Sequence, residues 1–163
     1  MGSRLPRTGL AGLAALLFAA LIAQPASAHT VSSGSKVVYS DAGLCVISKA
    51  DLTANHATGG MTPAAWTNAR RVGSGCDTID VFQPGHVAVQ ADLQVWNGSS
   101  WVTCQTGRPV TNPEWNWEAM VSTPNDTSPC GRAYYRTVAT SSVWDGSTWR
   151  SGTTASPYHP PVP

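Results

Sequence analysis

The stretch that most narrows the fold is Val87, Val89, Ala91, Leu93 and Val95, apolar at every second position with Gln90, Asp92 and Gln94 between them. A period of two belongs to a β-strand with one face in a core and the other in water. The strand runs into Trp96-Asn97-Gly98-Ser99-Ser100-Trp101-Val102-Thr103-Cys104. Asn-Gly here signals a hairpin, because both residues tolerate positive φ. A two-residue turn would set Trp96 opposite Ser99, and a four-residue loop would set it opposite Trp101. In both registers Trp96 and Trp101 share the wet face of Gln90, Asp92 and Gln94, while Leu93, Val95, Val102 and Cys104 share the other. Cys104 is therefore expected to point inward, toward a second layer.

The wording returns 48 residues later, where Val95-Trp96-Asn97-Gly98-Ser99-Ser100-Trp101 is echoed by Val143-Trp144-Asp145-Gly146-Ser147-Thr148-Trp149. The flanks do not match, so this reads as two similar hairpins in one domain rather than a repeat array, with Trp144 and Trp149 on a common face. Gly59-Gly60, Gly73-Ser74-Gly75, Pro84-Gly85 and Pro124-Asn125-Asp126 mark further turns, and the segments between are rich in Val, Thr, Trp and Tyr, the composition of strands. Two segments are ambiguous. Thr62-Pro63-Ala64-Ala65-Trp66 offers an N-cap followed by proline at the first helical position, predicting a short helix to Arg71. Asn112-Pro113-Glu114 has similar cues, but Trp115, Trp117, Ala119 and Val121 alternate against Glu114, Asn116 and Glu118, which favours a strand. The pattern predicts an all-β fold, an antiparallel β-sandwich of immunoglobulin-like or small-barrel type.

Residues 1–28 read as a cleavable secretory signal peptide: Arg4 and Arg7, an apolar run over 10–23, then Gln24-Pro25-Ala26-Ser27-Ala28. The run is too short for a membrane span of roughly 20 residues, so no membrane anchor is expected. Residues 29–163 would form one secreted β domain with a Pro-rich C-terminal tail, expected to be a monomer. The full chain carries a net charge of +1, and removing the leader leaves eight basic residues against nine acidic ones. Such a balance gives no electrostatic footprint for nucleic acid. Few lysines beside the arginines, with abundant alanine, point to a GC-rich bacterial genome.

An exported chain oxidises its cysteines, and Cys45, Cys76, Cys104 and Cys130 permit three pairings. The sequential one, Cys45 with Cys76 and Cys104 with Cys130, is expected because it closes loops of about 31 and 26 residues, contributing on the order of 3 kcal/mol per bridge. No Cys-x-x-Cys pair suggests zinc, and no cofactor is expected.

Seven tryptophans stand out in a chain of this length. Indole faces on the wet side of a sheet suit a polysaccharide, whose sugar rings present apolar C–H faces. Trp96 with Trp101, flanked by Asp92 and Gln94, is the leading candidate patch, and Trp144 with Trp149 the second. The competing use of such a pair is to stabilise its own hairpin. A different class of partner is an extracellular protein, with the protein acting as an inhibitor or antagonist through residues 106–112. His29 supports a third reading: cleavage after Ala28 would place a free α-amine and an imidazole on one residue. That pair can chelate copper, as in the histidine brace of lytic polysaccharide monooxygenases, with His56, His86 or His159 as second ligand. The resemblance to those enzymes stops at that position.

Hydrolytic catalysis finds little in the sequence. Glu114 and Glu118 on a strand would stand about 13 Å apart, beyond the roughly 5 to 9.5 Å of glycosidase carboxylates. No Gly-x-Ser-x-Gly or His-Glu-x-x-His motif occurs. Gly43-Leu44-Cys45-Val46, Trp101-Val102-Thr103-Cys104 and the run from Cys130 through Tyr134-Tyr135-Arg136-Thr137 into a tryptophan hairpin resemble small secreted actinobacterial proteins. That resemblance implies secretion and two disulfides and carries no activity with it.

Overall fold

A computed structural model describes residues 28–41, 43–71 and 76–162; all of the expected leader except Ala28 lies outside them. Eleven strands and no helix are present among the described residues. In chain order they are β1 (Ala28–Ser32), β2 (Lys36–Asp41), β3 (Leu44–Asn55), β4 (Gly60–Arg71), β5 (Thr78–Ile79), β6 (Val87–Trp96), β7 (Trp101–Gln105), β8 (Val110–Thr111), β9 (Glu118–Ser122), β10 (Tyr135–Trp144) and β11 (Trp149–Ala155). They form two antiparallel sheets packed together. In the first, β2 and β1 line the outer edge of β3 one after the other, β3 pairs with β4, and β9 and β5 line the far edge of β4. The second runs β11-β10-β6, with β7 and β8 sharing the far edge of β6.

Alternation sets what lies between the sheets. Val87, Val89, Ala91 and Leu93 of β6 are buried while Ala88, Gln90, Asp92 and Gln94 are partly exposed. They meet Leu44, Val46, Ala50 and Ala69 of the first sheet at one end and Leu52, Ala54 and Met61 at the other. Small polar side chains bridge the middle: Thr67 Oγ1 donates to Ser141 Oγ at 2.5 Å, and Ser141 Oγ donates to Ser48 Oγ at 2.8 Å. Buried hydroxyls satisfied in this way cost little, and they tie β4, β10 and β3 across the layer. Along one side the backbones themselves meet, since a Cβ on Gly152 of β11 would lie 2.2 Å from the carbonyl oxygen of Val38 in β2.

Both disulfides have the sequential pairing, Cys45–Cys76 and Cys104–Cys130. Cys104 points inward, packed against the core that includes Leu52, Met61 and Leu93, but its disulfide partner is not on a strand of the other sheet. A bulge sets Leu93 opposite Gln105 and Gln94 opposite Thr103, making Cys104 the extra residue of β7. It joins the loop ahead of β10, and the Tyr135 hydroxyl secures that loop by donating to Gly131 O at 2.6 Å and accepting from Cys130 N at 3.0 Å.

The helix expected from Thr62 to Arg71 is a strand, the second arm of a twelve-residue-per-strand hairpin with β3. Pro63 is tolerated there because its carbonyl accepts from Thr123 N at 3.0 Å, just past the end of β9. In a strand the N and O of one residue point the same way, so the missing N–H falls where the ladder stops anyway. The strand expected through Trp115 and Trp117 begins only at Glu118. Upstream of it the buried Asn112 holds a loop shut, donating to Gln83 O at 2.9 Å and Glu114 O at 2.8 Å and accepting from Val87 N at 2.9 Å. The Pro-rich tail is also part of the fold. It continues along β10, with Tyr135 and His159 exchanging backbone hydrogen bonds at 3.0 and 2.8 Å and Val162 buried in the core.

Candidate functional site

The first tryptophan hairpin closes with a four-residue loop, so Trp96 pairs with Trp101. Asn97 Oδ1 selects that loop by accepting from Ser99 N at 3.0 Å and Ser100 N at 2.9 Å, an Asx turn that satisfies donors the strands cannot reach. Gly98 supplies the positive φ of 100° that the loop requires. The two indoles stand 5.5 Å apart, centroid to centroid, tilted by 59°.

Two tyrosines extend the pair into a row. Trp96 N donates to Tyr134 O at 3.0 Å, which sets Tyr134 beside Trp96 on the outer face. The tail then brings Tyr158 against Tyr134, with ring centroids 5.5 Å apart and planes at 86°. Trp101, Trp96, Tyr134 and Tyr158 thus come from four neighbouring chain segments and line an open cleft of about 350 Å³. Tyr158 is 60 % exposed and Trp96 36 %. Arg136 adds a cation, its guanidinium stacked 4.5 Å above the Trp101 ring.

Gln94 and Asp92 lie on this outer face, but both already have partners within the protein. Gln94 Oε1 accepts from Arg136 Nε at 2.8 Å, steadying the stacked guanidinium. Asp92 Oδ1 accepts from Gln90 Nε2 at 2.8 Å and from Gly107 N at 3.0 Å, pinning residues 106–109 against β6. Burial pushes the Arg136 pKa down, and burial likewise raises that of Tyr135.

Trp144 and Trp149 form the same kind of pair, 5.8 Å apart, on the same outer face. Because β6 and β10 run antiparallel, with Val95 opposite Tyr135 and Val87 opposite Val143, the two hairpin tips lie at opposite ends of the sheet, roughly 30 Å apart by strand rise. They are two patches rather than one platform. In the second loop Asp145 takes the place of Asn97, its Oδ1 accepting from Thr148 N, Ser147 N and Ser147 Oγ, each at 2.8 Å, and its Oδ2 from Arg150 Nε at 2.7 Å. The backbone donors of Thr148 and Ser147, then the Ser147 hydroxyl and Arg150, hold its carboxyl far below the usual carboxylate range.

A second cluster sits where the tail meets the β3–β4 hairpin. His29 in β1 is opposite the buried Ala54, His56 follows β3, and His159 is in the tail. Ligating atoms of the three imidazoles all lie within 4.8 Å of one another. His86, the remaining histidine, is elsewhere, in a cavity with Trp115 and Trp144. Of the carboxylates, Glu118 accepts from the Trp66 indole at 3.1 Å, while Glu114 lies in the loop that Asn112 organises.

Sequence reasoning missed Tyr134 and Tyr158. The alternation of Tyr134 with Arg136 and Val138 carries the signal for the first. Tyr158 has none, because its place depends on the tail doubling back along β10. No known protein family, curated protein or solved structure matches this chain.

Proposed function

We propose that this is an exported, non-catalytic binding protein that holds a polysaccharide of the cell wall or surroundings in the cleft of Trp96, Trp101, Tyr134 and Tyr158. The observation that carries the reading is this row of four partly exposed rings on one open face. Stacked sugar rings match such a surface, since their C–H faces are apolar while their rims need hydrogen-bonding groups. Arg136 supplies donors at the edge of the row. The cleft volume falls in the roughly 300 to 1,000 Å³ range of small-ligand sites. Two disulfides are consistent with an extracellular setting, where such polymers occur, and the leader read from residues 1–28 would deliver the chain there.

The test is depletion of the purified protein from solution by insoluble cellulose, chitin and peptidoglycan. Binding to at least one, reversed by its soluble oligosaccharide, is the expected result. Full recovery in the supernatant with all three would sink the reading.

A further inference from the structure

We propose that His29, His56 and His159 form a binding site for a transition-metal ion, Cu(II) foremost. Three segments distant in sequence bring one imidazole each to a common point, with ligating atoms within 4.8 Å of one another. Four-coordinate nitrogen ligands with bonds near 2.05 Å would stand about 3.3 Å apart. The gap closes by side-chain rotation, for His29 and His56 are exposed and free to turn.

The third ligand is the fixed one. His159 is only 2 % exposed, its backbone is locked to Tyr135 in both directions, and its Nδ1 is 2.7 Å from the carbonyl oxygen of Pro160. A carbonyl only accepts, so Nδ1 carries a proton, which leaves Nε2 as the nitrogen that can ligate a metal. A ring nitrogen donating to a backbone carbonyl while the other faces a metal is the usual support of a histidine ligand. Its ring meets His29 edge-on at 5.5 Å and His56 at 5.6 Å. Among the described residues, no side-chain hydrogen bond or ion pair engages the rings of His29 or His56. The donor set is all imidazole, with no carboxylate in the group. It therefore suits copper or zinc rather than calcium or magnesium, and Cu(II) binds most tightly of the divalent first-row ions. Exposure of two ligands leaves a side open for water or a further donor.

A free α-amine at His29 would bind copper on its own, so the deciding protein is untagged and carries a short N-terminal extension that blocks that amine. Titrated with Cu(II) alone, it should take up one equivalent with nitrogen couplings in its electron paramagnetic resonance spectrum. His29→Ala, His56→Ala and His159→Ala should each weaken binding at least about tenfold, and His86→Ala should leave it unchanged. Uptake without saturation at one equivalent overturns the site, as does His56→Ala binding like the parent. Because His56 is exposed, that variant decides the matter even if His159→Ala fails to fold. The outcome is independent of polysaccharide binding, which involves none of these three side chains.

Discussion

Tyr158 and His159, adjacent in sequence, face opposite sides of the tail segment: the phenol ring stands in the aromatic cleft against Tyr134, and the imidazole is buried against His29 and His56. The pairing of His159 with Tyr135 produces this split, because alternation along an extended segment sends neighbours to opposite faces. One backbone bridge therefore positions one residue of each candidate site.

The aromatic row makes distinct claims for the two tryptophan hairpins. Trp101→Ala and Tyr158→Ala should each weaken polysaccharide binding by about 1 kcal/mol, roughly fivefold, in line with a lost aromatic contact. Trp149→Ala, at the far end of the sheet, should bind as the parent does. Isothermal titration with a soluble oligosaccharide distinguishes them, and equal losses from all three would refute the assignment to one cleft.

The two hairpin loops should respond differently to acid. Asp145 has a depressed pKa in the folded protein, so its stabilising effect is present above the ordinary aspartate value near 3.9 and is lost as pH falls through the folded value. In the folded protein the indole N–H resonances of Trp144 and Trp149 should hold through about pH 4 and shift only well below it, as the Asp145 carboxyl takes up its proton, while those of Trp96 and Trp101 stay still, because Asn97 does not titrate. Asp145→Asn should abolish the difference. Identical acid titrations of both pairs would contradict the role given to the carboxylate.

Asn112 is the polar knot beneath β6. Asn112→Ala would strip hydrogen bonds from Val87 N, Gln83 O and Glu114 O, an expected loss of about 2 to 4 kcal/mol. In urea the midpoint should fall with little change in the slope. A midpoint within experimental error of the parent would show that water replaces the side chain.

The Cys104–Cys130 bridge closes a span of 26 residues. Replacing both cysteines with alanine should cost about 3 to 4 kcal/mol by releasing the unfolded chain. The cleft should also loosen, since Cys130 N and Gly131 O are tied to the Tyr135 hydroxyl and Tyr134 is the next residue along. Urea unfolding gives the first quantity, and oligosaccharide affinity of the folded variant gives the second. Unchanged stability would place the bridge's effect outside chain entropy.

Much of the architecture is legible in local sequence. The alternation over residues 87–95 placed Gln90, Asp92, Gln94 and Trp96 on the outer face as found, and the cysteine spacing led to the observed pairing. Both are short-range properties: side-chain parity follows from pleat geometry, and closure of a short loop depends on chain length. The errors arose where distant partners outvoted local signals. Thr62-Pro63 carries a helix-start signature, yet β3 and β9 flank the segment and their ladders outweigh it. Cys104 points inward as its parity indicated, but its disulfide runs to the loop ahead of β10 rather than to a strand of the second layer.

What the sequence alone determined is therefore the class of fold, the faces of its clearest strands and the presence of two matched tryptophan hairpins. Only the tertiary structure decided that these hairpins lie at opposite ends of a sheet, that Tyr134 and Tyr158 complete one of them, and that His29, His56 and His159 converge. Periodicity reports which way a side chain faces within its own strand. Which residues meet is set by how strands order themselves and where the tail returns, and those choices are made by contacts between segments up to 130 residues apart.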